Sequence, residues 1–524
     1  MLTDEQKNVI DLVTDDSTFI LHGETGSGKT RVYTELAKRT LDTGKSAIIL
    51  TPEISLTPQL TSTFKQEFGD KRVVITHSQL TDKERAVVWL QILRSTTPLI
   101  VIGPRSALFS PLRDVGLVVI DESHEPSYKQ DQLPHYQAAR VASKLAQLHH
   151  ATLILGSATP SVVDYFMAQQ KAKPILRMVK LAKTGQIGTP TIKVIDMKDR
   201  KQFDRSRHLS NELISSVAQA LENQEQSLLF LNRRGTARSI LCENCGWQAA
   251  CPNCNLPLTY HGDSYKLRCH TCGFSVQAHA ACPICKNPDI ILRSIGTKAI
   301  VDEISAIFPQ ARVRRFDADN KKAERFEQHY DSVKDGKEDI IVGTQILAKG
   351  LDLPKLSTVG IVLADTSLYF PDFTAQERTY QLLRQVIGRV GRGHRESSVV
   401  VQTFNPENYV IKDAVSNNWS EFYEKELLER NRYMFPPFCF ILKLSCRRAS
   451  PASAKNAAEK LTNFIKSQNF HVMIDGPMPS FYERIANKYQ WQLIVKSKQR
   501  SELIKIIELL PANWSYDIDP LNLL

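Results

Sequence analysis

Short runs that are apolar throughout alternate with stretches whose apolar positions return every three or four residues. In the first third of the chain these runs are Phe19–His22, Ala47–Leu50, Val73–Thr76, Leu99–Gly103, Leu117–Asp121 and Thr152–Gly156. A second series follows at Ser227–Leu231, Ile340–Gly343, Val359–Leu363 and Val399–Thr403. Apolar runs separated by amphipathic helices read as strands buried on both faces, the pattern of doubly wound parallel sheets. Two series predict two α/β lobes, the first over residues 1–195 and the second over 196–239 and 289–410. Between them, over 240–288, the pattern breaks into cysteine knuckles, which predicts an insertion in the second lobe. A helical linker is expected at 411–432, and a separate α+β domain at 433–524, where strand–helix–strand texture returns.

Composition fits this plan. A chain of 524 residues exceeds one ordinary core. It is 42% hydrophobic and 23% charged, as soluble globular proteins are. There is no apolar run long enough to span a bilayer, and the N-terminal MLTDEQKNVIDL reads as an amphipathic helix rather than a leader, so a cytoplasmic location without membrane contact is expected. The net charge of +11 suits a polyanionic partner, though it is spread along the chain.

The chemistry begins at Gly23-Glu24-Thr25-Gly26-Ser27-Gly28-Lys29-Thr30, which fits GxxxxGK[ST] between an apolar strand and a helix over Arg31–Lys38. Glycines let backbone N–H groups wrap phosphates, Lys29 suits the β- and γ-phosphates of ATP, and Thr30 offers a hydroxyl to Mg²⁺. Asp121-Glu122-Ser-His124 ends the run Leu117–Ile120, placing two carboxylates at the C-terminal edge of a buried strand. Asp121 is expected to hold Mg²⁺ and Glu122 to orient the attacking water. Ser157-Ala-Thr159 ends the next strand. In the second lobe, Gly343-Thr344 and Gly350-Leu-Asp352 precede Gln385-Val-Ile-Gly-Arg389-Val-Gly-Arg392. Placed on a helix, Arg389 and Arg392 share one face and suit the charge of a transferring phosphoryl group. In this order the motifs read as an ATP-driven motor whose track they leave unnamed.

Eight of the ten cysteines form four CxxC pairs: Cys242/Cys245, Cys251/Cys254, Cys269/Cys272 and Cys282/Cys285. Clustered this way, they point to metal rather than disulfides, and each pair suits one half of a tetrahedral Zn²⁺ site. Two structural zinc sites follow, which four pairs could build in three ways. The loop between Cys254 and Cys269 has the common ribbon length, so spacing favours an inner site from the middle pairs and an outer site from Cys242, Cys245, Cys282 and Cys285. His261, His270 and His279 are expected to be bystanders, and Cys439 and Cys446 to be core residues.

With these segments in hand, the chain resembles superfamily 2 helicases, and more closely the PriA (primosomal protein N′) family of replication-restart helicases. The matching segments include Gly23–Thr30, Thr51–Leu56, Gly103–Phe109, Asp121–Gln130, Gly156–Pro160, Leu231–Gly235, the cysteine pairs, Ala348–Asp352, Ala364–Leu368, Gln385–Arg392 and Tyr433–Phe438. The resemblance implies RecA-like lobes and the same nested zinc arrangement. It implies an adenine-reading role for Gln6, and a nucleotide set completed by Asp352 and Gln385. Thr51, Pro52, Arg105, Ser106 and Thr344 would lie on the strand-binding face. The loop Glu125–Arg140, with Tyr128, Lys129 and Tyr136, would contact DNA and couple it to hydrolysis, although its ending reads Tyr136-Gln-Ala-Ala139 where the family has tyrosine-histidine-alanine-arginine.

The function so implied is an ATP-dependent 3′→5′ DNA helicase at stalled or branched replication forks, promoting replication restart and primosome assembly. Implied partners are branched and single-stranded DNA and primosome and replisome proteins, such as single-strand binding protein and a helicase loader, in the bacterial cytosol at the nucleoid. Rival expectations are an RNA helicase or duplex translocase of the same superfamily, and a zinc-containing scaffold whose ATPase is secondary. Family members usually carry a 3′-end-binding module and a winged helix before the motor, and with Met1 so close to Gly23 neither is expected here.

Overall fold

The computed structural model describes residues 2–52, 57–77, 79–180, 190–232, 240–262, 264–288, 290, 296–317, 326–344, 353–390 and 397–524. They form two compact units, 1–186 and 187–524.

In the first unit the strands are β1 (Thr18–Gly23), β2 (Ser46–Leu50), β3 (Val73–Ile75), β4 (Ile100–Gly103), β5 (Val115–Ile120), β6 (Thr152–Ser157) and β7 (Ile175–Met178). They make one parallel sheet in the order β3-β4-β2-β5-β6-β1-β7. Around it stand α1 (Asp4–Leu12), α2 (Lys29–Asp42), α3 (Thr57–Phe68), α4 (Asp82–Arg94), α5 (Ala138–His149) and α6 (Val162–Gln170). Because successive strand residues point to opposite faces, β2 feeds two cores. Ala47 and Ile49 join the cluster with Val32 and Phe64; Ile48 and Leu50 join the one with Ala138 and Ala142. Since β5, β6 and β1 are neighbours, the segments that leave their carboxyl ends converge.

In the second unit β8 (Thr191–Asp196) is followed by α7 (Asn211–Glu222) and β9 (Gln226–Phe230). The cysteine region then adds a three-stranded antiparallel sheet, β10 (Thr259–His261), β11 (Lys266–Arg268) and β12 (Ser275–Gln277). The main sheet resumes through α8 (Thr297–Ile307), β13 (Val313–Phe316), α9 (Phe326–Lys334), β14 (Ile340–Gly343), β15 (Leu356–Ile361), α10 (Ala375–Ile387) and β16 (Ser398–Thr403). Its order is β13-β14-β9-β15-β16-β8, all parallel. Both sheets are the RecA-like lobes expected, and the cysteine insertion sits between strands of the second.

The expected limit of the first lobe at residue 195 needs correction. It falls inside β8, which pairs with β16 in the second sheet. Three strands, β7, β8 and β13, lie outside the predicted series. All three are sheet edges, where only part of the strand is covered and polar residues such as Arg314 and Arg315 are admitted.

Beyond β16 come α11 (Tyr409–Val415) and α12 (Trp419–Arg432). They occupy the segment where a helical linker is expected and pack against α10: the Tyr380 ring of α10 stacks on Phe422 at 4.2 Å. Arg430, fully buried, donates to Glu426 Oε1 at 2.8 Å and Glu377 Oε2 at 2.7 Å. The C-terminal α+β domain follows with β17 (Phe440–Arg448), α13 (Pro451–Ser467), β18 (Met473–Ile485), β19 (Lys488–Ser497), α14 (Arg500–Glu508) and β20 (Trp514–Ile518). Its antiparallel sheet has the order β18-β19-β17-β20.

The cysteine module shares one hydrophobic cluster with this domain, joining Cys251, Leu267 and Cys269 to Phe435, Met478, Ile494 and Leu523. Cys439 and Cys446 are buried, as expected. Polar contacts run through the same junction. The Gln492 amide donates to His270 O at 2.9 Å and to Leu523 O at 3.0 Å; Leu523 N donates to Asp372 Oδ2 at 2.7 Å; Arg378 of α10 donates to Leu521 O at 2.6 Å. No helix among the described residues is long and apolar enough to cross a membrane.

Candidate active site and metal centres

After β1 the chain turns through two left-handed glycines, Gly26 (φ 85°) and Gly28 (φ 82°), before α2 begins at Lys29. Any other L-residue would pay about 1–2 kcal/mol for each such turn. The open amides of a helix N-terminus then face the loop, an arrangement suited to phosphate. Lys29 Nζ donates to Gly23 O at 2.9 Å and lies 4.0 Å from Glu122 Oε1. Gln6 is a buried residue that latches α1 to this loop. Its Nε2 donates to Ser27 O (3.2 Å) and Gly28 O (3.4 Å), while its Oε1 accepts from Thr3 N in a capping box.

At the end of β5, Asp121 and Glu122 stand beside Lys29. Burial pushes the Asp121 carboxyl up to about 6, the Glu122 charge adds to this, and Lys29 opposes it. Glu122 holds a left-handed backbone (φ 46°), the kind of local strain that folds retain at functional positions. Asp121 Oδ1 accepts from the Tyr33 hydroxyl at 3.0 Å, a contact the sequence reading did not include. His124 Nδ1 lies 2.7 Å from Ser157 Oγ, which also accepts from Thr159 N at 2.9 Å. Phosphate loop, DESH box and SAT box therefore meet at one sheet edge.

The residues expected on a strand-binding face divide into two groups. Thr51 is buried at the end of β2, its N–H donating to Gly103 O at 2.9 Å, and Pro52 O accepts from Ser127 Oγ at 3.1 Å. Arg105 opens a short 3₁₀ turn, Arg105–Phe109, and donates to Ser127 O and, at 2.8 Å, to Lys129 O. Ser106 is exposed. Tyr128 and Lys129 are buried as Thr51 is, and in the second group the ring itself is taken up by the core. The Tyr128 ring belongs to the core with Ile120 and Ala138, and its hydroxyl donates to Asp121 O at 2.6 Å. A ring so placed is a core residue and not a platform for stacking bases. The aromatic surface here is instead Phe109, 57% exposed, meeting the half-buried Tyr136 edge-on at 5.3 Å. Phe109 closes the Gly103–Phe109 segment, where nothing in the sequence marks its ring as exposed.

In the second unit, Thr344 is buried after β14 and its N–H donates to Phe316 O at 3.2 Å. Gln385 is half-buried on α10. That helix stops at Ile387 with Gly388 as its cap, so Arg389 follows the helix rather than lying on it as expected. Arg389 is itself buried. Arg392 and Asp352 lie outside the described residues.

The cysteines assemble as the spacing favoured. Cys242, Cys245, Cys282 and Cys285 form one group, and Cys251, Cys254, Cys269 and Cys272 the other, with the Sγ atoms of each within 4.8 Å of one another. Pairs such as Cys242–Cys285 (3.4 Å) and Cys251–Cys272 (3.5 Å) suit the edges of a tetrahedron around Zn²⁺, where Zn–S is about 2.3 Å. Each pair is a knuckle of the same build. The residue after the second cysteine (Gly246, Asn255, Gly273, Lys286) has positive φ and returns its N–H to the first cysteine's carbonyl. These are two structural zinc sites. His261 and His270 are not in either group; their Nε2 atoms pair with each other at 3.0 Å.

Family models tile the same architecture. A DEAD/DEAH box helicase domain matches residues 3–166 and a helicase conserved C-terminal domain 286–394, which together define a superfamily 2 helicase motor. The PriA DNA helicase Cys-rich region domain matches 251–276, and the primosomal protein N C-terminal domain 431–521. The chain is 36% identical over 526 residues to the replication restart protein PriA of Bacillus subtilis (strain 168), covering 99% of this chain and 65% of that protein. It is 36% identical over 520 residues to that of Synechocystis sp., covering 96% and 62%. The PriA of Treponema pallidum (strain Nichols) is 34% identical over 535 residues, covering 100% and 80%. The chain belongs to the PriA family. It spans 65% and 62% of the length of the first two of these relatives.

Proposed function

We propose that this chain is an ATP-dependent DNA helicase that moves 3′→5′ and acts at stalled or branched replication forks, in replication restart and primosome assembly. One observation carries the reading. The phosphate loop, the Asp121–Glu122 pair and the His124–Ser157 contact meet at a single sheet edge, in a chain of the PriA family.

Lys29 and the loop amides hold the phosphates, and Gln6 reads adenine. Thr30 and Asp121 would hold Mg²⁺, which when bound neutralises charge on the phosphate oxygens. Glu122 orients the attacking water and accepts its proton. Asp352 and Gln385 complete the nucleotide set, and Arg389 and Arg392 keep the role expected from sequence, stabilising charge on the transferring phosphoryl group. Thr51, Pro52, Arg105, Ser106, Tyr136 and Thr344 contact the tracked strand. Partners are single-strand binding protein and a helicase loader. Eight thiols held as zinc ligands fit the reducing cytosol.

The test is unwinding of a model fork and ATPase stimulated by forked DNA, duplex DNA or RNA. Forked DNA is expected to stimulate most, and Lys29→Ala to abolish turnover. Stimulated turnover retained by that variant would remove the site assignment; preferential stimulation by RNA would move the chain to another track.

A further inference from the structure

Tyr33 lies on α2, one turn beyond Thr30, and its side chain is fully buried. The phenol reaches the end of β5, where Oη donates to Asp121 Oδ1 at 3.0 Å. It reaches there because the neighbouring strand gives way: a Cβ on Gly156 of β6 would stand 1.8 Å from Tyr33 Oη. Three elements are thus cut to admit one hydroxyl. A buried hydroxyl carries a desolvation cost that phenylalanine, of nearly the same shape, would avoid. Its partner is the carboxylate that the proposed mechanism gives to the cation.

The backbone of Asp121 is already fixed. Its N–H donates to Leu50 O at 3.0 Å and its carbonyl accepts from Tyr128 Oη at 2.6 Å. Its carboxylate accepts from the Glu122 backbone as well as from the Tyr33 hydroxyl, and of these two contacts only the one from Tyr33 comes from another element. We propose that Tyr33 is a positioning residue for the divalent cation of the nucleotide site, holding Asp121 by one oxygen so that the other is presented in a single orientation. This rests on the nucleotide-site reading above. It also makes α2, which begins at the phosphate loop, mechanically continuous with the carboxylate that serves the metal.

The experiment uses the full chain and Tyr33→Phe. Mn²⁺ binding is titrated by electron paramagnetic resonance with a non-hydrolysable ATP analogue present. Losing one hydrogen bond to a charged group is expected to weaken Mn²⁺ binding about tenfold. Metal-free binding of a fluorescent ATP analogue and the thermal unfolding midpoint should stay at wild-type values. Raised Mg²⁺ should restore kcat. Unchanged Mn²⁺ affinity in Tyr33→Phe would overturn the inference, as would a variant that fails to fold, since the hydroxyl would then be a structural group. If the wild-type chain shows no nucleotide-dependent Mn²⁺ site, the underlying nucleotide reading falls instead.

Discussion

His124 Nδ1 and Ser157 Oγ lie 2.7 Å apart, so the last residue of the DESH box and the first of the SAT box share one hydrogen bond. The same Ser157 oxygen accepts from Thr159 N, and Glu122 Oε2 lies 3.6 Å from His124 Nδ1. A change at Glu122 therefore has a short path to the residues that end β6. Ser157→Ala removes the path without touching the phosphate loop. It should leave ATP turnover largely intact and lower fork unwinding roughly tenfold, the effect of about one hydrogen bond. Parallel ATPase and strand-displacement assays would show whether the two activities separate.

Gly156 is the second pressure point. Alanine there would drive its Cβ to 1.8 Å from the Tyr33 hydroxyl, deep in a packed edge with little room to yield. Overpacking of this kind costs about 1–3 kcal/mol. Gly156→Ala should lower the urea midpoint and depress nucleic-acid-stimulated ATPase together, measured by denaturation and turnover on the same preparation.

The zinc sites make a prediction about the module's neighbours as well as about metal. Cys251→Ser removes one ligand of the inner group and should lower the zinc content from two ions per chain to one, read by atomic absorption. Cys251 and Cys269 also line the cluster that contains Met478, Ile494 and Leu523. Loss of the inner site should therefore expose the C-terminal domain, and limited proteolysis should cut near β18 in the variant and not in the wild type.

Arg430 is buried between two carboxylates, Glu377 and Glu426. Burial raises the Glu426 pKa, and Arg430 opposes that rise. Arg430→Met would strand both acids in the core, at a cost of about 3–5 kcal/mol. Equilibrium unfolding is the measurement. A loss below 1 kcal/mol would mean that the acids are not held by this arginine, on the scale of about 1.4 kcal/mol per tenfold change.

Interior strands are legible from sequence because both faces are covered; β2 reads Ser-Ala-Ile-Ile-Leu and every residue is buried. An edge strand need not carry that signature, although the edge strand β3, Val-Val-Ile, does. In β13, Val-Arg-Arg-Phe, the arginines pair with Glu338 at 2.9 Å and Asp317 at 3.5 Å, and the apolar run is lost. The zinc ligands are equally legible, since a CxxC knuckle is a local turn that needs no tertiary information. Tyr128 shows the opposite case: an aromatic beside a lysine looks the same in sequence whether its ring faces solvent or the core. Tyr33 is hidden for a related reason, because one hydroxyl on a helix of core residues acquires meaning only when Asp121 and Gly156 are placed around it. Arg389 left a signal that the motif's spacing obscured, namely Gly388, a common helix terminator.

The contacts through Gln492 and Leu523 have a consequence for how the second unit forms. His270 and Gln492 are 222 positions apart, and Asp372 and Leu523 are 151 apart. Closing loops of that length carries an entropic cost that must be met before the contacts return anything, so such pairings come late in folding. The cysteine knuckles, built from turns only a few residues long, carry no such delay. The ribbon is therefore ready to take its metal early, and the seat that receives it closes afterwards.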